Sequence, residues 1–168
     1  MNEYVQKQYW TELVELKAHV EYLNFYQMRN NTIDRYIKMS LATTSSASIG
    51  GWAIWNQIQY VWAIIIAASQ LLNVVKDHLP FQARQKKLGS LGGELEGILL
   101  YAERMWFDVS EGRRTHKEIH DLTMELKKRK MDSYNKYFLN DPLPKKEKLL
   151  LKAKTESEIY FSNFYTNK

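Results

Sequence analysis

Between Lys38 and Lys76 the chain runs for 37 residues, Met39 to Val75, without an Asp, Glu, Lys, Arg or His, although charged residues make up 26% of the whole. A membrane-spanning helix needs about 20 apolar residues, so this run is too long for one span and close to enough for two. Asn56, Gln57 and Gln59 form its polar midpoint. The pattern predicts helices over 39–55 and 58–75 with a tight turn between them. At 1.5 Å per residue each would reach roughly 25–27 Å, a little short of a ~30 Å hydrocarbon core, which flanking residues or local thinning would cover. Trp52, Trp55, Tyr60 and Trp62 cluster at the turn, as interfacial aromatic residues do. Arg29, Arg35, Lys38, Lys76, Arg84, Lys86 and Lys87 flank the opposite ends, so the positive-inside rule places both termini in the cytoplasm. The competing reading makes the same run the core hairpin of a soluble helical bundle. Against it, 58–75 shows no polar outer face beyond Gln59, Gln70 and Asn73.

Ser40, Thr43, Thr44, Ala47, Ser48 and Gly51 fall on one face of the first expected helix. Such a stripe permits close helix packing and interhelical hydrogen bonds, and around a symmetric oligomer it could line a narrow polar pore. The residues leave both roles open.

Outside the run the periodicity is helical. Tyr9, Leu13, Leu16, Val20 and Leu23 alternate spacings of four and three, the seam of a helix that packs against another. Leu88, Leu91, Leu95, Ile98, Ala102, Met105 and Val109 repeat the pattern for three heptads, and Ile119, Leu122 and Leu126 continue it in a shifted register after Gly112. Gly89, Gly93 and Gly97 lie four apart on the same stretch. Each costs about 1 kcal/mol relative to alanine, so close approach of a second helix, from another subunit, is the expected reason. With Leu88, Leu91, Leu95 and Ile98 they form an expected oligomer-packing face. Asn140-Asp141-Pro142-Leu143-Pro144 is a break, and 145–165 reads as a terminal helix. The expected fold is all-α: an N-terminal cytosolic helix (1–38), a transmembrane hairpin (39–76), a long cytosolic helical region (77–139) and a basic, aromatic C-terminal helix (140–168), assembled as an oligomeric bundle.

The chain has no cysteine, which excludes disulfides and thiolate chemistry. Its first residues show no basic region followed by an apolar one, so no cleaved signal peptide is expected. His116 and His120 share a helical face but lack an evident third ligand, so no metal is expected. Glu94, Glu96, Glu103, Asp108 and Glu111 read as a solvated helix face. No nucleophile–base pair stands out, and neither catalysis nor a cofactor is expected.

The net charge of +5 belongs to the last third, where residues 113–168 carry fourteen basic and eight acidic groups. Lys127, Lys128, Arg129 and Lys130, then Lys145, Lys146 and Lys148, lie among Tyr134, Tyr137, Phe138, Tyr160, Phe161, Phe164 and Tyr165. Cations neutralise phosphates and aromatic rings stack bases, so these residues, with Tyr134 and Tyr137 foremost among the rings, are candidates to bind a nucleotide or a single-stranded DNA oligomer. Anionic lipid headgroups, or solubility alone, account for the same lysines.

The layout, together with Tyr36-Ile37-Lys38-Met39-Ser40-Leu41-Ala42, Gly51-Trp52-Ala53-Ile54-Trp55 and Ala67-Ala68-Ser69-Gln70, resembles the SLATT family of bacterial two-transmembrane effectors. The resemblance implies an inner-membrane effector of anti-phage immunity. It would oligomerise (a tetramer is the expectation) into an ion-conducting pore gated by a nucleotide or, in the Hailong type, a DNA oligomer, made by a partner nucleotidyltransferase. The family has no catalytic motif, so no functional residue carries over. The alternatives are a non-conducting membrane anchor that binds nucleic acid or a partner enzyme, and a soluble all-helical regulator.

Overall fold

A computed structural model of the chain describes residues 2–54, 59–78 and 81–165. Among the described residues it is all-α, with five helices: α1 (Asn2–Ile54), α2 (Gln59–His78), α3 (Phe81–Ser110), α4 (His116–Phe138) and α5 (Glu147–Tyr165). The chain divides into two compact units, one formed by residues 1–27 and 86–168, the other by 28–85.

The first unit is a four-helix arrangement built on the two heptad seams. Tyr9, Leu13, Leu16, Val20 and Leu23 of α1 are at most 2% exposed. They share a core with Leu88, Leu91, Leu95, Ile98, Ala102 and Val109 of α3, Ile119, Leu126 and Phe138 of α4, and Ala153 and Phe161 of α5. Fully burying a leucine is worth about 1.5–3 kcal/mol, so the two seams together supply much of the drive to fold. The buried Tyr9 hydroxyl donates to the Ala102 carbonyl at 2.8 Å, which ties α1 to α3 without leaving a polar atom unsatisfied. Trp10 packs against Trp106 and Phe161, with ring centroids 4.7 and 5.0 Å away, and so joins α1, α3 and α5.

The sequence pattern suggested one long helical region after the uncharged run; the structure folds it back on itself. Gly112, at φ 69°, takes the left-handed conformation that ends helices. Its N–H donates to the Val109 carbonyl and the Arg113 N–H to the Asp108 carbonyl. Three residues later the Thr115 side chain accepts from the Glu118 N–H while the Glu118 carboxylate accepts from the Thr115 N–H at 2.7 Å, a reciprocal cap that starts α4. This stop and start explain the register shift in the sequence. The break at 140–144 lies between α4 and α5.

In the second unit, the stretches read as a transmembrane hairpin are helical: 39–54 is the C-terminal part of α1 and α2 follows from Gln59, while the turn itself falls on 55–58, outside the described residues. Yet no helix among the described residues is long and apolar enough to cross a membrane. That overturns the transmembrane hairpin as a membrane element, the inner-membrane location and the ion-conducting pore. The reason is physical. Lack of charge is not the same as apolarity, because hydroxyl and amide groups are also costly to desolvate. Residues 39–54 carry Ser40, Thr43, Thr44, Ser45, Ser46 and Ser48, and α2 carries Gln59, Ser69, Gln70 and Asn73 before ending in Lys76, Asp77 and His78. The uncharged part of α2, 59–75, is only about 25 Å long. The pore lining assigned to Ser40, Thr43, Thr44, Ala47, Ser48 and Gly51 falls with the pore. Ser40 is exposed on α1, and the side chains of the other five lie outside the described residues.

Candidate functional site

The side chains that matter most come from four places in the first unit. On α1, Ala18, His19 and Tyr22 sit beside the buried seam. On α4, Tyr134, Asn135 and Phe138 occupy the last turns. The 139–146 segment contributes Pro142, Leu143, Pro144 and Lys145, and α5 contributes Leu150 and Lys154. Together with Glu15 and Leu139 they line a cleft of about 690 Å³, within the ordinary range for small-molecule sites.

Two prolines keep 142–144 out of any helix, so this segment needs an anchor. Tyr22 provides it. Its hydroxyl donates to the Pro144 carbonyl and accepts from the Lys146 N–H at 3.2 Å, which pins the segment over α1 and closes one wall of the cleft. Phe138, Leu143 and Leu150 make the apolar walls. Tyr134 stands edge-on to His19, with ring centroids 6.2 Å apart. Burial, with a smaller contribution from Tyr22, pushes the Tyr134 phenol up to about 12, so it stays protonated and can donate.

His19 is held neutral. Burial and then the Lys130 ammonium lower its pKa, against weaker opposing effects from Glu15 and Glu12. Its Nδ1 is enclosed without an aligned hydrogen bond, and the Glu15 carbonyl, one turn earlier, acts on the ring in the direction that raises its pKa. Lys145 and Lys154 are exposed and carry no ion pair among the described residues. The cleft thus combines an apolar slot, a phenol and a neutral imidazole inside it, and two unpaired cations alongside. A molecule with a flat, weakly polar body and an anionic group matches that set.

The residues singled out from the sequence are dispersed. Tyr134 and Lys145 line the cleft. Lys146 supplies its backbone N–H to Tyr22, and its neighbour Lys148 is exposed. Lys130 pairs with Glu12, a carboxylate whose side chain is only 7% exposed, and Lys127 approaches the same group at 3.8 Å. Arg129 pairs with Glu125 and covers the Tyr101 ring at 4.7 Å, while Lys128 is exposed. Tyr137 donates to Glu94 at 2.6 Å. Lys136 and then Tyr137 hold that carboxyl below its usual range, and Glu94 in turn raises the Lys136 ammonium. The run 127–130 is therefore spread around α4, with three of its four cations matched to this chain's own carboxylates. Of the C-terminal rings, Phe161 is buried against Trp10 and Tyr160 donates to Glu103 at 3.3 Å.

Asp108 pairs with Arg113 and Arg114. His116 opens α4 with its Nε2 enclosed, and no group of three metal-ligating side chains forms among the described residues. Leu88, Leu91, Leu95 and Ile98 are buried in this chain's own core rather than between subunits; Gly93 and Gly97 face outward on α3, whereas a Cβ at Gly89 would meet the Gln27 amide of α1.

Sequence reasoning passed over His19, Tyr22 and Lys154. The first two sit three apart and flank the leucine seam, a polar pair at its edge that the periodicity treats as background. Their meeting with 142–145 is a tertiary contact 122 residues apart in the chain.

No family model, no curated protein and no solved structure matches the chain. The functional reading rests on the geometry of the cleft.

Proposed function

We propose that this protein is an all-helical binding module that takes up a small anionic molecule with a planar body, a nucleotide being the class that fits best, in the cleft between α1, α4 and α5. One observation carries the reading: a phenol, Tyr134, and an imidazole, His19, line an apolar-walled space that is also lined by Lys145 and Lys154, which have no ion pair among the described residues. A ligand in that space accepts a hydrogen bond from the Tyr134 phenol, and the two lysines attract its charged end. Glu15 on the same lining is an acceptor for an exocyclic amine or a sugar hydroxyl.

Isothermal titration of the full chain with adenosine and guanosine monophosphates, a cyclic dinucleotide, a short single-stranded DNA and benzoate tests this. Nucleotide binding should weaken at least tenfold in a Lys145→Ala/Lys154→Ala double variant, and its dependence on salt should become shallower. Tyr134→Phe, which removes only the phenolic donor, should weaken binding by about 1 kcal/mol or more. If no nucleotide binds, or if affinity is unchanged in both variants, the cleft is not the site. Benzoate bound as tightly as a nucleotide would replace the nucleotide by a simpler aromatic acid.

A further inference from the structure

The outward face of α3 is built in a way that the chain's own packing does not require. A Cβ added at Gly93 or Gly97 would meet nothing within 4 Å, so among the described residues neither glycine makes room for another part of this molecule. Glycine in a helix interior is nonetheless destabilising relative to alanine. On the same stripe Leu100 and Phe107 are 69% and 57% exposed, although Arg113 covers one side of the Phe107 ring at 5.0 Å. Glu96 and Arg104, also exposed, have no ion pair among the described residues. They lie about 12 Å apart along the helix, too far to pair with each other.

The order of these residues is symmetric. Gly93 and Phe107 lie seven positions before and after Leu100, and Glu96 and Arg104 lie four before and after it. Spacings of four and seven keep all five on one seam. When two identical helices pack antiparallel about a two-fold axis at one residue, positions equally far before and after that residue face one another. Phe107 of each copy then falls over Gly93 of the other, where no side chain obstructs it. Glu96 of each falls opposite Arg104 of the other, giving two ion pairs that flank a central Leu100–Leu100 contact. Both the shape and the charge of this face are complementary to themselves.

We propose that the outward face of α3 is a self-association seam, on which a second copy of this chain docks antiparallel about a two-fold axis at Leu100. The seam is separate from the ligand cleft and does not depend on it. A contact one helix wide belongs among the smaller interfaces, so a dissociation constant on the order of 10 μM is expected.

Sedimentation equilibrium of the full chain, from roughly 1 to 500 μM so as to bracket that constant, tests the seam. The wild type should pass from monomer to dimer across this range. Glu96→Arg and Arg104→Glu should each weaken association about tenfold or more, because each sets like charges opposite one another twice per dimer. The double variant Glu96→Arg/Arg104→Glu should dimerise like wild type. The two single variants should also associate with each other when mixed, since both cross-pairs are then complementary. Gly93→Gln fills the seat of Phe107 while suiting the isolated helix, so it should weaken the dimer with undiminished helicity. A wild type that stays monomeric throughout overturns the proposal. So does association that ignores the single reversals, which would place the contact elsewhere. Failure of both the double variant and the mixture to recover would mean that Glu96 and Arg104 do not face one another, which overturns the antiparallel two-fold at Leu100.

Discussion

At the scale of single residues, basic side chains on this protein divide by what they already touch. Lys130 and Lys127 serve the nearly buried Glu12, and Arg129 serves Glu125 and the Tyr101 ring. Such cations have little left to offer a ligand, whereas Lys145 and Lys154 have no such partner among the described residues. The ionisation state of His19 bears on stability near neutral pH. Its environment comprises Lys130, Glu12, Glu15 and the ring of Tyr134. The folded-state pKa lies below the unfolded value of 6.5, so between the two the unfolded chain binds the extra proton. Stability from this site is therefore complete above about pH 6.5 and declines as pH falls toward the folded pKa. Thermal melts between about pH 7.5 and 5.5 should show that decline, and His19→Gln should flatten it; equal slopes in the two proteins would remove His19 as the cause.

At the scale of elements, the turn between α3 and α4 decides the fold of the first unit. Gly112 sits at a positive φ that a side chain strains, and the Thr115–Glu118 cap supplies partners to the first turn of α4. Thr115→Ala should cost about 1 kcal/mol, and Gly112→Ala a similar amount through backbone strain. Both are read as shifts in the midpoint of chemical denaturation without a change in its slope. This turn was only half legible beforehand. The register slip after Gly112 marked the place, but a shifted heptad fits a bent or continuous helix as well as a reversal. The difference lies in the φ of one glycine and in which carbonyls its neighbours reach.

At the scale of the whole molecule, the first unit is assembled from residues 1–27 and 86–168, with 28–85 as a second unit between them in the chain. Its two pieces come close where they are cut: a Cβ at Gly89 would lie 3.5 Å from the Gln27 amide. A short flexible linker can close such a gap at small entropic cost. A protein in which 28–85 is replaced by about eight Gly/Ser residues should fold cooperatively into the four-helix unit and keep the cleft, since every cleft residue belongs to this unit. Circular dichroism melts together with nucleotide titration check this, and a linker-joined protein that does not fold cooperatively would show that the first unit depends on the second. In the second unit, α2 leaves Tyr60, Ile64, Leu71 and Val74 exposed to at least 62%. An apolar fraction of this kind made the uncharged run look like a membrane element, and its hydroxyls and amides are what deny α2 and the end of α1 the apolarity a span needs.

The sequence alone determined that this protein is helical and which seams of its helices have to be covered, because heptad spacing is a local property of a 3.6-residue helix; it assigned Leu88, Leu91, Leu95 and Ile98 to packing against another subunit, and the structure buries them in this chain's own core. The sequence also placed the break before α5, because Pro142 and Pro144 cannot continue a helix. Only the tertiary structure decided the rest. Whether a lysine is free or spent depends on carboxylates more than a hundred residues away, as with Lys130 and Glu12. The cleft exists because Tyr22 of α1 meets the backbone of 144–146, a contact that no local pattern records.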